Sequence, residues 1–594
     1  MDKWDSRLLI RESFLTILPA QLLAALIPYL SGIINGVVIG NFYSENMISV
    51  IGFTTPVIYL LTAVRTLFAV GGASVAGNFM GRGSLSKVNE TYRLCIKTLM
   101  ITGLVMTGLV HTFTGTIAGI ISNDHALLGE TSKYLMGLSI GFVPCLLISF
   151  LSVYLQLAGE SKKVIASSLI NAGLNLLFDL AAVTVFDAGI NGIGLATALA
   201  QWLTAVYLIV SIRSTGFVKY TTEPSDIRIL KSVSRAGLTS CLLILMEAVR
   251  NSILVERSFA VGGLAASDTT SILFSASGLV DFITTGFVVS AGMVASLYAG
   301  EENEEGLKGT ARWGTLVGGI AGILSGILLF ILARPVALAF GSRQAGLELA
   351  VICLRTYAVY IMIANPFQIM LRMYQSLRRL NVNFAILFTK EILVSIPVIY
   401  LLGNKLGAKG LWACFPIGAA FGTLMIVIIS AYMSWKQGRK SLDFLWYNEN
   451  EIFKDSENCY ISNYKDMHAA LRSIDDFCRR NRMDKKSAIA CRLLSEENMT
   501  RLLEHGVKFS KKRDLLINLF AGTDGEKTRL VFQDNSQQFD PFKRFRLYED
   551  DDDELIRDAS VSIVHSLSND ITYQFSFGMN ILMIDMLHEG KGES

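Results

Sequence analysis

Charged residues are scarce in this chain. Asp, Glu, Lys and Arg make up 17% of its 594 residues, against about 25% in an ordinary soluble domain. That shortage excludes a wholly soluble protein. With 52% hydrophobic residues and a mean hydropathy of +0.45, the composition points to a membrane. The shortage is uneven. From Met1 to about Met433 the charges fall between apolar runs, and after Lys436 they become dense. Paired cysteines are also missing. The eight cysteines (Cys95, Cys145, Cys241, Cys353, Cys414, Cys459, Cys478 and Cys491) contain no CxxC, so neither a zinc site nor a disulfide framework is indicated. A net charge of +3 is too small to suggest nucleic acid. The N-terminus "MDKWDSRLLIRESF" lacks a signal-peptide cleavage pattern. Its first apolar run therefore reads as a signal-anchor helix.

Long apolar runs are what the chain has in quantity. A span needs roughly 20 mostly apolar residues, and about twelve runs meet that criterion. They start with Ser13–Ile39 and Ser49–Met80, include Arg235–Val261 and Thr269–Ala299, and end with Phe384–Leu402 and Leu411–Trp435. Basic residues such as Arg82, Lys87, Arg93, Lys162, Lys163, Arg378 and Arg379 fall in alternate loops, with Lys405 and Lys409 as exceptions. That bias places both termini, and the soluble part, in the cytoplasm of a multi-pass cell-membrane protein.

The spans repeat. Moving Phe68–Arg93 by 219 residues lays it on Phe287–Arg312, with Phe68/Phe287, Val75/Val294, Ala76/Ala295, Gly81/Gly300 and Arg93/Arg312 identical. Gln156 meets Gln375 at the same shift, and Gly189 and Gly192 meet Gly407 and Gly410 at 218. Two six-span halves of equal orientation imply a pseudo-two-fold axis along the membrane normal. Transporters are built this way, with a cavity between halves that rock. The expected fold class is a membrane all-α domain of about twelve helices in two six-helix halves, followed by a soluble α+β sandwich. The expected units are residues 1–220, 221–436, a linker at 437–453, and 454–594.

Charge inside a bilayer is expensive, so ionisable residues within spans are site candidates. Arg65 lies in the second span and Asp281 in its repeat partner. Both could face the cavity and meet across the axis. Glu247 and Arg250 are spaced to pair on one helix face. Lys390 and Glu391 are adjacent and so read as local structure on different faces. Asn171, Asn175 and Asp179 form a polar stripe, read either as substrate contacts or as interhelical hydrogen bonds.

The soluble part reads as a strand at Cys459–Ser462, helices at Tyr464–Asn481 and Lys485–Gly506, and a hairpin turning at Thr523-Asp524-Gly525. A third helix, "ELIRDASVSIVHSLSND", and a closing hairpin follow. Helices on one face of an antiparallel sheet make the sandwich. The run Glu549–Glu554 is strongly acidic. It is either a solvated loop or a salt-sensitive latch on the basic loops.

"GNFYSENMISVIGFTTPVIYLL", "GGASVAGNFMGRGSLSKVNETY" and "LNLLFDLAAVTVFDAGINGIGLATALAQW" resemble the MATE multidrug and toxin extrusion transporters over about Arg11 to Lys436. The resemblance implies a V-shaped cavity and export of organic solutes against Na⁺ or H⁺. It adds Asn175 and Asp179 to the candidates, with Gln156 from the repeat. Where many relatives carry an Asp for the coupling cation, this chain has Asn35. An amide can ligate Na⁺ but cannot exchange a proton at neutral pH.

"LLSEENMTRLLEHG" and "DNSQQFDPF" resemble the histidine-kinase-like ATPase domains of the anti-sigma-factor type. The resemblance carries over Glu497, His505, Asp534, Phe539, Asp540 and Pro541. The departures are systematic. Arg501 stands where a metal-binding Asn is expected, and Ser536 and Gln538 replace lid glycines. Glycine lets backbone N–H groups approach phosphate, so Mg·ATP turnover is not expected. ATP binding without turnover, or an interaction scaffold for a protein partner, remain the two readings. No metal or resident cofactor is indicated. The functional expectation is a secondary exporter of small molecules with a regulatory, non-catalytic tail. The alternatives are a signalling protein with a transporter fold as sensor, or a lipid-linked sugar flippase.

Overall fold

The computed structural model describes residues 5–42, 50, 53–121, 127–217, 226–340, 342, 345–439, 441–447, 453–509, 515–540 and 567–587. Its membrane part runs α1 Asp5–Phe42, α2 Thr55–Gly81, α3 Leu85–Ile121, α4 Leu128–Ser139, α5 Phe142–Leu157, α6 Ser161–Thr184, α7 Gly189–Ser214 and α8 Ile227–Glu301. It continues with α9 Glu304–Ala339, α10 Ala345–Ser376, α11 Leu380–Phe388, a π-helical segment Thr389–Val394, α12 Ser395–Leu406, α13 Ala408–Leu411 and α14 Cys414–Lys436. Among the described residues, ten helices are long and apolar enough to cross a membrane, or eleven if the bent pair α4/α5 is one span. The 75-residue α8 counts once in that tally, yet it breaks at Gly263, with φ 62 and ψ −154. The Ser258 and Thr270 hydroxyls, on opposite sides of the break, lie 2.8 Å apart. A straight helix would separate them by about 18 Å, so the chain doubles back at Gly263. Only glycine enters that backbone region without strain.

The repeat read in the sequence appears as paired contacts. A Cβ on Gly81 would come 2.1 Å from the Leu297 carbonyl oxygen, and one on Gly300 would come 2.2 Å from that of Asn78. Gly81 maps on Gly300 and Asn78 on Leu297 at the 219-residue shift. The two contacts are thus one contact seen from both sides of a pseudo-two-fold axis between α2 and the second arm of α8. The Gln21 amide donates to Gln156 at 2.8 Å, and the Ser240 hydroxyl donates to Gln375 at 3.2 Å. These bonds also interchange at the same shift.

The C-terminal part comprises β1 Asp455–Ile461, α15 Tyr464–Arg480, α16 Lys485–Phe509, β2 Ile517–Thr523, β3 Lys527–Asp534, β4 Asp570–Ser576 and β5 Met579–Leu587. The strands form an antiparallel sheet in the order β1-β2-β3-β5-β4. Asn463 caps α15 by accepting from the Lys465 and Asp466 amides at 2.9 and 3.1 Å, the usual way to satisfy a helix's first donors. Met467, Leu471, Ile474 and Phe477 are its buried stripe, as their 3.6-residue period dictates. The expected third helix, apart from its last residues, and the acidic run lie outside the described residues.

This sheet is covered on both faces. Leu530, Phe532, Leu582 and Ile584 pack with α15 and α16, whereas Val531, Ile581 and Met583 join the core of the membrane part. Strand side chains alternate faces, so β3 and β5 are buried almost throughout. Leu445, Trp446 and Tyr447, from the expected linker, are buried too. The Arg379 guanidinium donates to the Leu445 carbonyl at 3.2 Å and lies 4.6 Å from the Trp446 ring centroid.

Candidate functional site

A buried cluster of charge sits in the second half. Arg250 on the first arm of α8 pairs with Glu391, and Lys390 pairs with the other oxygen of the same carboxylate. Arg250, Lys390 and Glu391 are 5%, 2% and 0% exposed. Isolated charges at such a site cost several kcal/mol each in effective desolvation, so mutual pairing is what lets them stay. Arg250 also donates to Asn251 Oδ1 at 3.2 and 3.0 Å, and Asn251 donates to the Tyr59 hydroxyl at 3.2 Å. The Phe415 ring lies 4.7 Å from the guanidinium, and the Tyr360 and Phe367 rings lie 5.6 and 5.7 Å from the Lys390 ammonium. Asp281, on the second arm, accepts the Tyr357 hydroxyl at 2.9 and 2.8 Å.

The π-helical segment explains how Lys390 and Glu391 come to share a site. A π-turn widens the helix, re-aims side chains and recurs at functional sites. It also leaves carbonyls without their usual partners. Here the Ser395 hydroxyl donates to the Lys390 carbonyl at 2.7 Å. The reading of Lys390 and Glu391 as local structure on different faces is therefore corrected. It assumed a regular helix. Pairing of Glu247 with Arg250 is corrected as well, because Arg250 reaches Glu391 instead. Glu247 makes no hydrogen bond or ion pair among the described residues, although it lies in electrostatic reach of Glu391, Arg250, Lys390 and Asp281. Arg65 is partly buried and pairs with no acid there, so the direct meeting with Asp281 is not seen. Tyr29 lies in reach of both, and of Glu247.

Glu247, Lys390 and Arg372 line one narrow cavity with Ser240, Gln368 and Asn383, of about 40 Å³. The Arg372 guanidinium donates to Ser240 and Gln375, each at 2.9 Å. Sequence reasoning missed Arg372, Tyr357 and the Lys390–Glu391 pair. An ionisable residue inside an apolar run was the available signal for the pair.

The other candidates lie elsewhere. Asn175 donates to Thr197 at 3.1 Å and Asn171 accepts from Thr204 at 3.3 Å. The two asparagines thus make hydrogen bonds between α6 and α7. Asp179, also on α6, is buried. Gln156 holds Gln21 of α1. Asn35 lies on α1, its side chain outside the described residues. In the C-terminal part, Arg501 and Glu497 pair with each other at 3.1 Å. Asp534 is buried and accepts from the Ser536 amide at 2.9 Å and from Asn580 at 2.9 Å. That carboxylate therefore shapes the turn that holds Ser536. Asp540 is partly buried. The side chain of His505, and Pro541, lie outside the described residues.

A family model described as MatE matches the chain twice, over residues 21–181 and 236–401. The multidrug export protein MepA of Staphylococcus aureus strain MRSA252 is 23% identical over 400 residues, spanning 66% of this chain and 87% of that protein. A Staphylococcus haemolyticus protein of the same name is 22% identical over 403 residues, again 66% and 87%. Among solved structures, an outward-facing multidrug resistance MATE family transporter of the MOP superfamily superposes with TM-score 0.65 at 17% identity, covering 72% of this chain and 96% of that one. A MOP superfamily transporter from Pyrococcus furiosus, described as having a binding pocket of reverse polarity, superposes with TM-score 0.64 at 17% identity, covering 70% and 93%. At these identities the superpositions speak for the fold.

Proposed function

The chain belongs to the MatE family, as a membrane transporter and not an enzyme, and on that premise we propose that it exports drug-like organic solutes by alternating access, driven by inward Na⁺ or H⁺. Its two arms of α8 and its bent α4/α5 pair support a twelve-span membrane part in two halves. The positive loops support an orientation with both termini cytoplasmic. The C-terminal part, a degenerate ATPase-like sandwich, regulates it or docks a protein partner. The family match does not favour the sensor or sugar-flippase alternatives.

One observation carries the coupling assignment. Glu247 lines the cavity without an ion-pair partner among the described residues, whereas Glu391 is held between two cations and Asp281 by Tyr357. A carboxylate that neither is locked nor faces lipid is the group free to exchange a cation. Asn35 cannot exchange a proton, so proton coupling would have to run through Glu247 or a similar group. The cavity, at about 40 Å³, is far below the roughly 300–1,000 Å³ of a small-molecule site. A drug-like cargo held at this pocket would need it to widen, as alternating access provides.

The test is flux in proteoliposomes under separate Na⁺ and H⁺ gradients, with a panel of organic cations, zwitterions and anions. We expect flux under one gradient, abolished by Glu247→Gln with cargo binding retained. Absence of flux under both gradients for the whole panel would sink the antiporter reading. Unimpaired flux in Glu247→Gln would move coupling to another residue.

A further inference from the structure

The outer face of the C-terminal sheet is seated on the ends of both membrane halves. On β4, three alternate side chains donate to carbonyls of the first half: Thr572 to Gly83 at 3.2 Å, Gln574 to Met80 at 3.3 Å and Ser576 to Leu157 at 2.8 Å. Met80 and Leu157 lie at the C-terminal ends of α2 and α5, where helix carbonyls lack intrahelical partners. The strand's period of two therefore matches three acceptors at one end of the first half. The Phe575 ring and the β4–β5 turn close against Gly159 and against Thr16 of α1. On β3, the Gln533 amide donates to both oxygens of Glu301 in the second half, at 2.8 and 3.1 Å. Glu301, Gln533 and Ser576 are all fully buried.

Granted the transporter reading, we propose that the sheet is a clamp that holds this end of the transporter shut. β3 and β4 flank β5, so the attachments to the two halves are about 10 Å apart across a hydrogen-bonded sheet. The sheet cannot stretch without breaking its ladder. Beneath it α2 and the second arm of α8 meet at Gly81 and Gly300, the seam that must part if the halves are to separate here. Parting requires β3 to leave Glu301 or β4 to leave the α2 and α5 ends. Whatever loosens the C-terminal part thereby frees the transport cycle.

The Gln533–Glu301 contact provides a reversible probe. Gln533→Glu sets two buried carboxylates against each other, and combining it with Glu301→Gln restores one carboxylate and one amide of equal shape. On the full-length protein in detergent, amide exchange at Met80–Gly83 and Gly300–Glu302 should accelerate at least about fivefold in Gln533→Glu and return to wild type in the double variant. In proteoliposomes, the initial rate should rise in Gln533→Glu and fall back in the double variant. Unchanged exchange in Gln533→Glu overturns the clamp, as does faster exchange with an unchanged rate for a cargo that the wild type carries. If the wild type carries none of the panel, the exporter reading fails by itself, and the exchange result alone supports or overturns the clamp.

Discussion

Removing the Glu391 carboxylate would leave Arg250 and Lys390 facing each other, both buried, with no direct counter-charge. Breaking a buried ion pair from one side costs about 3–5 kcal/mol, because an uncompensated charge stays behind. Glu391→Gln should therefore lower the detergent melting temperature sharply, whereas Glu247→Gln, which breaks no ion pair, should leave it nearly unchanged. Equal melting of both variants would show that the cluster is hydrated and not paired. Outside the membrane, Asp585 behaves differently. Burial raises its carboxyl pKa, but hydrogen bonds and charge from Arg529 and Lys527 outweigh this and hold it below the ordinary value. A depressed folded pKa contributes stability above the unfolded value, about 3.9, and loses it as pH falls through the folded one. The β3–β5 pairing should thus weaken only below about pH 4. Asp585→Asn should flatten that acid limb in melts of the full-length protein, and an unchanged limb would assign it to other carboxylates. At this scale the sequence showed which residues are ionisable and within spans. It could not show partners, since Arg250 and Glu391 are 141 positions apart.

Elements were more legible than partners wherever a regular period governs them. The buried stripe of α15, the two hairpins and the glycine repeat all follow from periods of 3.6 or 2 and from glycine's small size. The π-turn was not legible, because apolar periodicity assumes a regular helix. The second covered face of the sheet was hidden for a related reason. Arg529 and Gln533 alternate with apolar neighbours along β3 and look like a solvent face, but their partners are Asp585 and the distant Glu301. The glycines make a sharp prediction. A Cβ at Gly300 would stand 2.2 Å from a backbone oxygen, and backbone cannot swing aside as a side chain can. Gly300→Ala should force α2 and α8 apart, at about 1–3 kcal/mol. Gly319→Ala, where a Cβ meets nothing within 4 Å, is the control. Similar melting temperatures for the two variants would refute the close seam.

On the scale of the whole molecule, the boundary between membrane and soluble parts does not fall where charge density changes. Charges become dense after Lys436, yet Leu445, Trp446 and Tyr447 are buried on the second half. There Arg379 donates to the Leu445 and Trp446 carbonyls, Gln437 donates to the Tyr447 carbonyl at 3.0 Å, and the Tyr374 and Trp446 ring centroids lie 5.1 Å apart. Charge density does not reveal this, because the apolar Leu442, Phe444, Leu445, Trp446 and Tyr447 lie in a stretch too short to span a membrane and read as a linker until their partners are known. A chain ending after Tyr447 keeps these contacts. One ending after Lys436 loses them and takes the Leu445 and Trp446 carbonyls away from the half-buried Arg379 guanidinium, at about 1 kcal/mol for each hydrogen bond lost. Both truncations lose the sheet and expose the α2 and α5 ends. The comparison between them therefore isolates the linker from the clamp. The shorter protein should melt several degrees below the longer one in the same detergent. Equal melting would return residues 441–447 to the status of a passive tether.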